Sequence, residues 1–413
     1  MTRLACLLAP LLGFGASLSA QSLAIRADLL HTAAGPALKD GVVLIQDGKI
    51  RAVGRASEVK IPSGVAVRRA KVATPGFVDG RSTVGLSGLL NQPHDQDQLE
   101  ASAPLQPELR ALDAYNGRDP LVAYVRSLGV TTVHTGHGPG ALISGQTFVV
   151  KTDAPEVTRG VLKAEAMVAA TLGDGARGRD GKAPGTRAKQ IAMLRAELVA
   201  AQEYARKQKD AEKGKEPSRD LRKEALLPVL RGELPLLVTA HRAQDILSVL
   251  RLAKEFGLAI VLDGGAEAYL VLDELKAAKV PVLLHPTMAR AGGETENLSL
   301  ETAAKLKAAG IPFAFQSGFE GYVPKTRVVL FEAAMAAANG LAFDDVLQAL
   351  TLAPARLLGV ADRVGSLEPG KDGDVALFDG DPFEWTTHCV GTVIGGVVAS
   401  EGEETGREVP PAR

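Results

Sequence analysis

Between residues 236 and 316 the chain repeats one pattern: short, unbroken apolar runs alternate with stretches of helical periodicity. Residues 236–239 read as a strand. A helix is predicted over 243–256, with Gly257 as its C-cap. The next strand is predicted over 258–262, then a helix over 267–278 and a third strand over 280–284. A fourth strand, 311–316, follows a helix ending near Gly310. An earlier unit has the same form, a helix over 121–127 and then a strand over 130–133. Strands without polar alternation need cover on both faces, which implies parallel strands wrapped by helices. Enough units fit between Pro75 and Leu358 for a closed barrel, while the pattern alone leaves a doubly wound sheet open.

The two ends read differently. Residues 42–46 and 50–54 flank Asp47-Gly48, a hairpin turn signal because both turn positions need positive φ. Residues 374–378, 392–394 and 397–398 form a similar series, with Gly395-Gly396 between the last two. These β-rich ends predict one small β domain assembled from both termini. Residues 1–20 carry Arg3, an apolar run and then Ser19-Ala20, the layout of a cleaved signal, which implies export to a periplasmic or secreted location. Cys6 would leave with that segment. Cys389 would then be the single thiol, so no internal disulfide is expected.

Charge and composition narrow the partners. A net charge of −1 and an aromatic content of 4% offer neither a field nor a stacking platform for nucleic acid, and no later segment is long and apolar enough to insert in a membrane. A small-molecule ligand or substrate is the expected partner. The run 206–215 interleaves acids with its bases and reads as a solvated helix end.

Ala73-Thr74-Pro75-Gly76-Phe77-Val78-Asp79-Gly80 resembles the first barrel strand of the amidohydrolase superfamily. Residues 351–360, then 365–374 and Gly380-Asp381-Pro382, resemble that superfamily's closing helix and its return to the β domain. Gly129-Val130-Thr131-Thr132-Val133, Ala240-His241-Arg242 and Glu267-Ala268-Tyr269 are similar to the imidazolonepropionase-like branch. The resemblance implies a distorted (β/α)8 TIM-like barrel over residues 75–362. It also implies a β-sandwich built from residues 21–74 and 363–413. It further implies hydrolysis of amide-like C–N bonds by water on Zn²⁺ or another divalent metal at the strands' C-terminal ends.

The ligand positions depart from the family. Where the first strand usually continues into His-x-His, this chain has Arg81, Ser82 and Thr83. The strand-five histidine is matched by His241, the strand-six histidine falls at Gly264, and the strand-eight aspartate falls at Gly318, after Ser317. An arginine cannot become a metal ligand and glycine has nothing to offer, so His241 alone of the family's ligands remains. The cofactor the family implies thus meets a ligand set that is largely absent.

Other residues supply candidate chemistry. Asp263 ends a strand, which suits a general base, or equally a cap for a helix starting near Ala266. His134 and His137 lie just past a strand among Gly136, Gly138 and Gly140, and read as substrate-facing or simply hydrogen-bonded, with a three-imidazole metal site together with His241 as the less favoured alternative. His285, before Pro286, ends a strand and has the same two readings, a site residue or loop structure, of which loop structure is favoured. Arg81, His241 and Lys325 or Arg327 would make a cationic pocket for an anion. Two functions stay open. One is a hydrolase with a remodelled, metal-poor site using Asp263 and His241, with Arg81, His134, His137 and Ser317 facing the substrate. The other is an inactive barrel that binds a small, possibly anionic ligand or an envelope partner.

Overall fold

A computed structural model describes residues 22–88, 92–178, 181–287, 292–319 and 329–402. The signal segment with Cys6, the cationic candidates Lys325 and Arg327, and residues 403–413 lie outside them. The chain opens with four strands, β1 (Ser22–Leu30), β2 (Leu38–Gln46), β3 (Lys49–Arg55) and β4 (Ala66–Pro75). The β2–β3 connection is the expected hairpin, with Gln46 opposite Lys49 and φ of 52° at Asp47 and 76° at Gly48.

The α/β body follows. It begins with β5 (Phe77–Ser82), α1 (Pro120–Ser127), β6 (Val130–Thr135), β7 (Ile143–Gln146) and β8 (Phe148–Lys151). Next come α2 (Val157–Gly160), β9 (Val161–Lys163), β10 (Val168–Thr171), α3 (Arg187–Asp210) and α4 (Leu221–Leu230). The predicted repeat is β11 (Leu236–Ala240), α5 (Ala243–Phe256), β12 (Ile260–Gly264), α6 (Leu272–Ala278), β13 (Val282–Leu284), α7 (Thr302–Ala309) and β14 (Phe313–Phe315). Helices α8 (Val329–Ala338), α9 (Phe343–Leu350) and α10 (Leu352–Leu358) precede β15 (Val375–Phe378), β16 (Cys389–Ile394) and β17 (Val397–Glu401).

Strands β10 to β14 pair in parallel, each with the next, and every residue in them is buried, as their unbroken apolar runs require. Helix α5 turns Ile246, Val249 and Leu252 inward and stops at Gly257 in the left-handed conformation. One predicted helix is shorter than its pattern. Residues 268–270 form a 3₁₀ turn, and α6 begins only at Leu272. Strand β5 pairs in parallel with β6, and a parallel bridge from Ser82 to Gly318 brings the end of β5 beside the segment leaving β14. The C-terminal ends of β11, β12, β13, β14, β5 and β6 thereby lie side by side in that order.

Among the described residues the ladders form three sheets, of seven, six and four strands, and do not by themselves trace a closed eight-stranded ring. Both chain ends do share a sheet: β15 pairs antiparallel with β4, giving the order β17-β16-β15-β4-β1-β2-β3. The buried Lys151 at the end of β8 ties that sheet to the body, with Nζ 2.6 Å from Asp372 and 2.8 Å from Asp374. Cys389 is a free, partly buried thiol.

Candidate active site

Arg81 leaves the end of β5 and is buried to 2% exposure. Its Nε lies 3.2 Å from Asp263 Oδ2 at the end of β12, and its Nη2 donates to the His137 carbonyl at 2.7 Å. Asp263 also accepts from Gln316 Nε2 at 2.6 Å and from the Thr239 hydroxyl. Burial pushes the Asp263 carboxyl up, but the Arg81 charge, the two hydrogen bonds and His241 outweigh it and hold Asp263 below the usual carboxylate range. The helix-cap alternative for Asp263 does not hold, since its oxygens are engaged across the strand ends and the 3₁₀ turn at Ala268 has no side-chain cap. The cationic pocket also changes character, because Arg81 already faces a carboxylate.

His241 follows β11 with its ring over Gly264. A Cβ added to Gly264 would stand 2.7 Å from the His241 Cε1, so only glycine leaves room for the imidazole. Its buried Nδ1 has no hydrogen-bond partner. Burial lowers His241 to about 4 although the Asp263 carboxylate pulls the other way, and His285 adds to the lowering. The imidazole is therefore neutral near pH 7 and keeps a lone pair.

The remaining candidates take different places. His134 is fully buried, with Nδ1 2.6 Å from the Gly80 carbonyl and Nε2 2.7 Å from the Thr147 hydroxyl. The carbonyl can only accept, so Nδ1 carries the proton and Nε2 accepts, which leaves no ring nitrogen for a ligand. Burial, partly offset by the Gly80 bond, lowers His134 to about 4. His137 sits against Gly145 and is lowered to about 4 by burial and then by Arg81. Its two ring nitrogens are unpaired, the Asp97 backbone approaching without hydrogen-bond geometry. Ser317 donates both its hydroxyl, at 2.5 Å, and its N–H, at 3.0 Å, to Asp79.

Asp79 carries no role in the sequence reading, and His285 reads there chiefly as loop structure. Asp79, inside the Phe77–Gly80 motif, is a buried carboxyl that burial raises to about 7 in spite of the bonds from Ser317 and the Arg81 N–H. His285 lies over Gly318, where a Cβ would stand 2.7 Å from its Cδ2. Glycines at two expected ligand positions, each with a histidine at a neighbouring strand end, were the available signal.

With this geometry in view, a solved amidohydrolase from Thermotoga maritima MSB8 is similar to the chain at 30% identity and a TM-score of 0.86, over 92% of this chain and 100% of that one. The chain belongs to the amidohydrolase family. A model of that family matches residues 239–399. The curated amidohydrolase tasK of Hapsidospora irregularis is 26% identical over 384 residues, 83% of this chain. The chain spans only 38% of that relative's length. Molinate hydrolase shares the fold at 16% identity and a TM-score of 0.55, over 92% of this chain and 94% of its own.

The family's metal centre can be tested against the side chains present. Gly264 and Gly318 contribute none, and the imidazoles of His241 and His285 fill the space above them. The Thr83 hydroxyl is 3.0 Å from Ser87 Oγ, and the Arg81 guanidinium is paired with Asp263. Among the described residues, no three His, Cys, Asp or Glu side chains converge as metal ligands. This donor set does not fit a mono- or dinuclear centre of the family type.

Proposed function

We propose that this family member is a hydrolase of non-peptide, amide-like C–N bonds whose site works through imidazole and guanidinium groups. It would lie at the mouth of a distorted (β/α)8 barrel (75–362) joined to a β-sandwich from both ends (21–74 and 363–413), in a protein exported by its first 20 residues. The observation that carries the reading is the neutral His241, its buried Nδ1 without a hydrogen bond, beside the Arg81–Asp263 pair. A neutral imidazole accepts the proton of an attacking water. Asp263 stabilises the imidazolium that forms. Arg81, fixed by Asp263 and the His137 carbonyl, presents a preorganised cation to the developing oxyanion. His137 and Ser317 line the approach, and His134 supports the strand end beneath.

A panel of cyclic amides and N-acyl amino acids, assayed from pH 3 to 9, tests this. The expected acid limb lies near 4, because a base works only when unprotonated and His241 is lowered to about 4. His241→Asn should cost roughly 10²–10⁴-fold in kcat. No turnover of any amide, or an unaffected variant, would remove the hydrolase reading. A second reading, a barrel that binds a small ligand or envelope partner without turnover, draws on the same thin inventory of metal ligands. Unchanged binding of carboxylates by Arg81→Ala would count against its anionic form.

A further inference from the structure

At the opposite end of the strands from Arg81 and His241, the surface opens into a groove of about 950 Å³. It runs past Pro235, which precedes β11, Ile260, which opens β12, and Pro281, which precedes β13. Leu247 and Leu250 of α5, with Leu258, Val280 and Leu357, make its walls apolar. Its volume falls in the range of small-molecule sites, roughly 300–1,000 Å³.

The groove is basic in a chain whose charges otherwise balance, 47 Lys and Arg against 48 Asp and Glu. Arg251, Lys254, Lys279 and Arg356 line it, against the single carboxylate of Glu274. Among the described residues none of these four cations makes an ion pair. Arg251 Nη2 donates to the Ser248 hydroxyl at 2.8 Å, and Glu255, beside Lys254 in sequence, is taken by Arg195. Lys254 and Arg356 stand in the last turns of α5 and α10, whose carbonyl ends attract cations but carry only about half a charge each. Lys279 is the most telling. Helices α5, α7 and α10 each end on a left-handed glycine, Gly257, Gly310 and Gly359, whereas α6 ends on Lys279 at a φ of 55°. Glycine would end that helix without strain, so the backbone conformation points to a use for the ammonium.

We propose that this groove binds a free single-chain carboxylate, with its hydrocarbon tail along Leu250, Leu258 and Val280 and its head among the four cations. Burial of the tail supplies affinity without direction, and the cations select the anion. A face that docks on a membrane has to present its apolar side chains outward. Here they line a recess, so the ligand is a monomer that enters it. The site is separate from the barrel mouth and does not depend on the hydrolase reading.

Calorimetric titration of the full chain with dodecanoate, kept below the concentration at which it forms micelles, tests the proposal. Saturable binding at one equivalent per chain is expected, weakened by salt and by roughly fourfold for each methylene removed from the tail. The neutral 1-dodecanol should bind about tenfold more weakly or worse. Lys254→Glu/Lys279→Gly, which changes two exposed side chains, should weaken dodecanoate by about tenfold. Lys279→Gly alone should raise Tm while lowering affinity, a trade that a purely structural lysine would not show. Ala277→Trp, at an exposed position of α6 that lines the groove, should fill it and abolish binding in a folded chain. No saturable binding, equal binding of the alcohol, or unchanged affinity in either the double variant or Ala277→Trp overturns the proposal. Capture by phosphatidylglycerol vesicles without binding of monomeric dodecanoate also overturns it, and assigns the cations to a membrane surface.

Discussion

At the scale of single residues, the most consequential contact joins two charges that water hardly reaches. Arg81 and Asp263 are about equally buried, so removing one leaves the other uncompensated. Arg81→Met should destabilise by about 3–5 kcal/mol in urea unfolding, and Arg81→Met/Asp263→Leu by clearly less. Equal losses would mean that the pair is not coupled. His134 gives a pH prediction. Its folded pKa of about 4 is below the unfolded 6.5, so its contribution is present above 6.5 and fades as pH falls through 4. Stability should therefore fall less steeply in His134→Gln than in the parent across that window, by up to about 1.4 kcal/mol per pH unit. Parallel curves would contradict it. Arg81, Gly264 and Gly318 were legible as departures because a motif fixed their places. The partnership of Asp79 with Ser317 was not, since 238 positions separate them and the carboxyl's burial depends on both.

At the scale of elements, glycine placement decides what the strand ends can hold. Gly264 and Gly318 have φ of 89° and 64°, and a Cβ at either would meet an imidazole below 3 Å. Gly232 has φ of 72° and open space around it, so Gly232→Ala isolates the backbone cost, about 1–2 kcal/mol. Gly264→Ala and Gly318→Ala should each cost more than Gly232→Ala in thermal unfolding. A cost equal to that of Gly232→Ala would show that the rings move aside freely. The elements themselves were largely legible: α5 runs over Ala243–Phe256 as its periodicity predicts, with its Gly257 cap. Strand starts were less so. The apolar Leu258 and Val280 are buried ahead of β12 and β13, yet the ladders begin at Ile260 and Val282. Burial extends beyond the hydrogen-bonded register, and apolar pattern reports only burial. His285 reads chiefly as loop structure in the sequence for a related reason. A histidine before a proline signals a strand's end, and only the packing on Gly318 shows what its ring faces.

At the scale of the whole molecule, the seven-stranded sheet and the α/β body meet through Lys151, whose ammonium bridges Asp372 and Asp374. Lys49 and Arg363 also reach Asp372, at 2.6 and 2.8 Å. Lys151→Met would strand buried carboxylate at that junction and should cost about 3–5 kcal/mol in urea unfolding, whereas a loss below about 1 kcal/mol would contradict this reading of the junction. The central claim concerns the other end of the body, where the proposed site works through Arg81, Asp263 and the His241 imidazole without a metal centre of the family type. Metal content of the purified protein, measured together with amide hydrolysis before and after chelation, tests it most directly. The account predicts metal well below one equivalent per chain and hydrolysis unchanged by the chelator. Stoichiometric metal that is lost in His241→Ala, with activity that falls on chelation and returns with zinc, would contradict it.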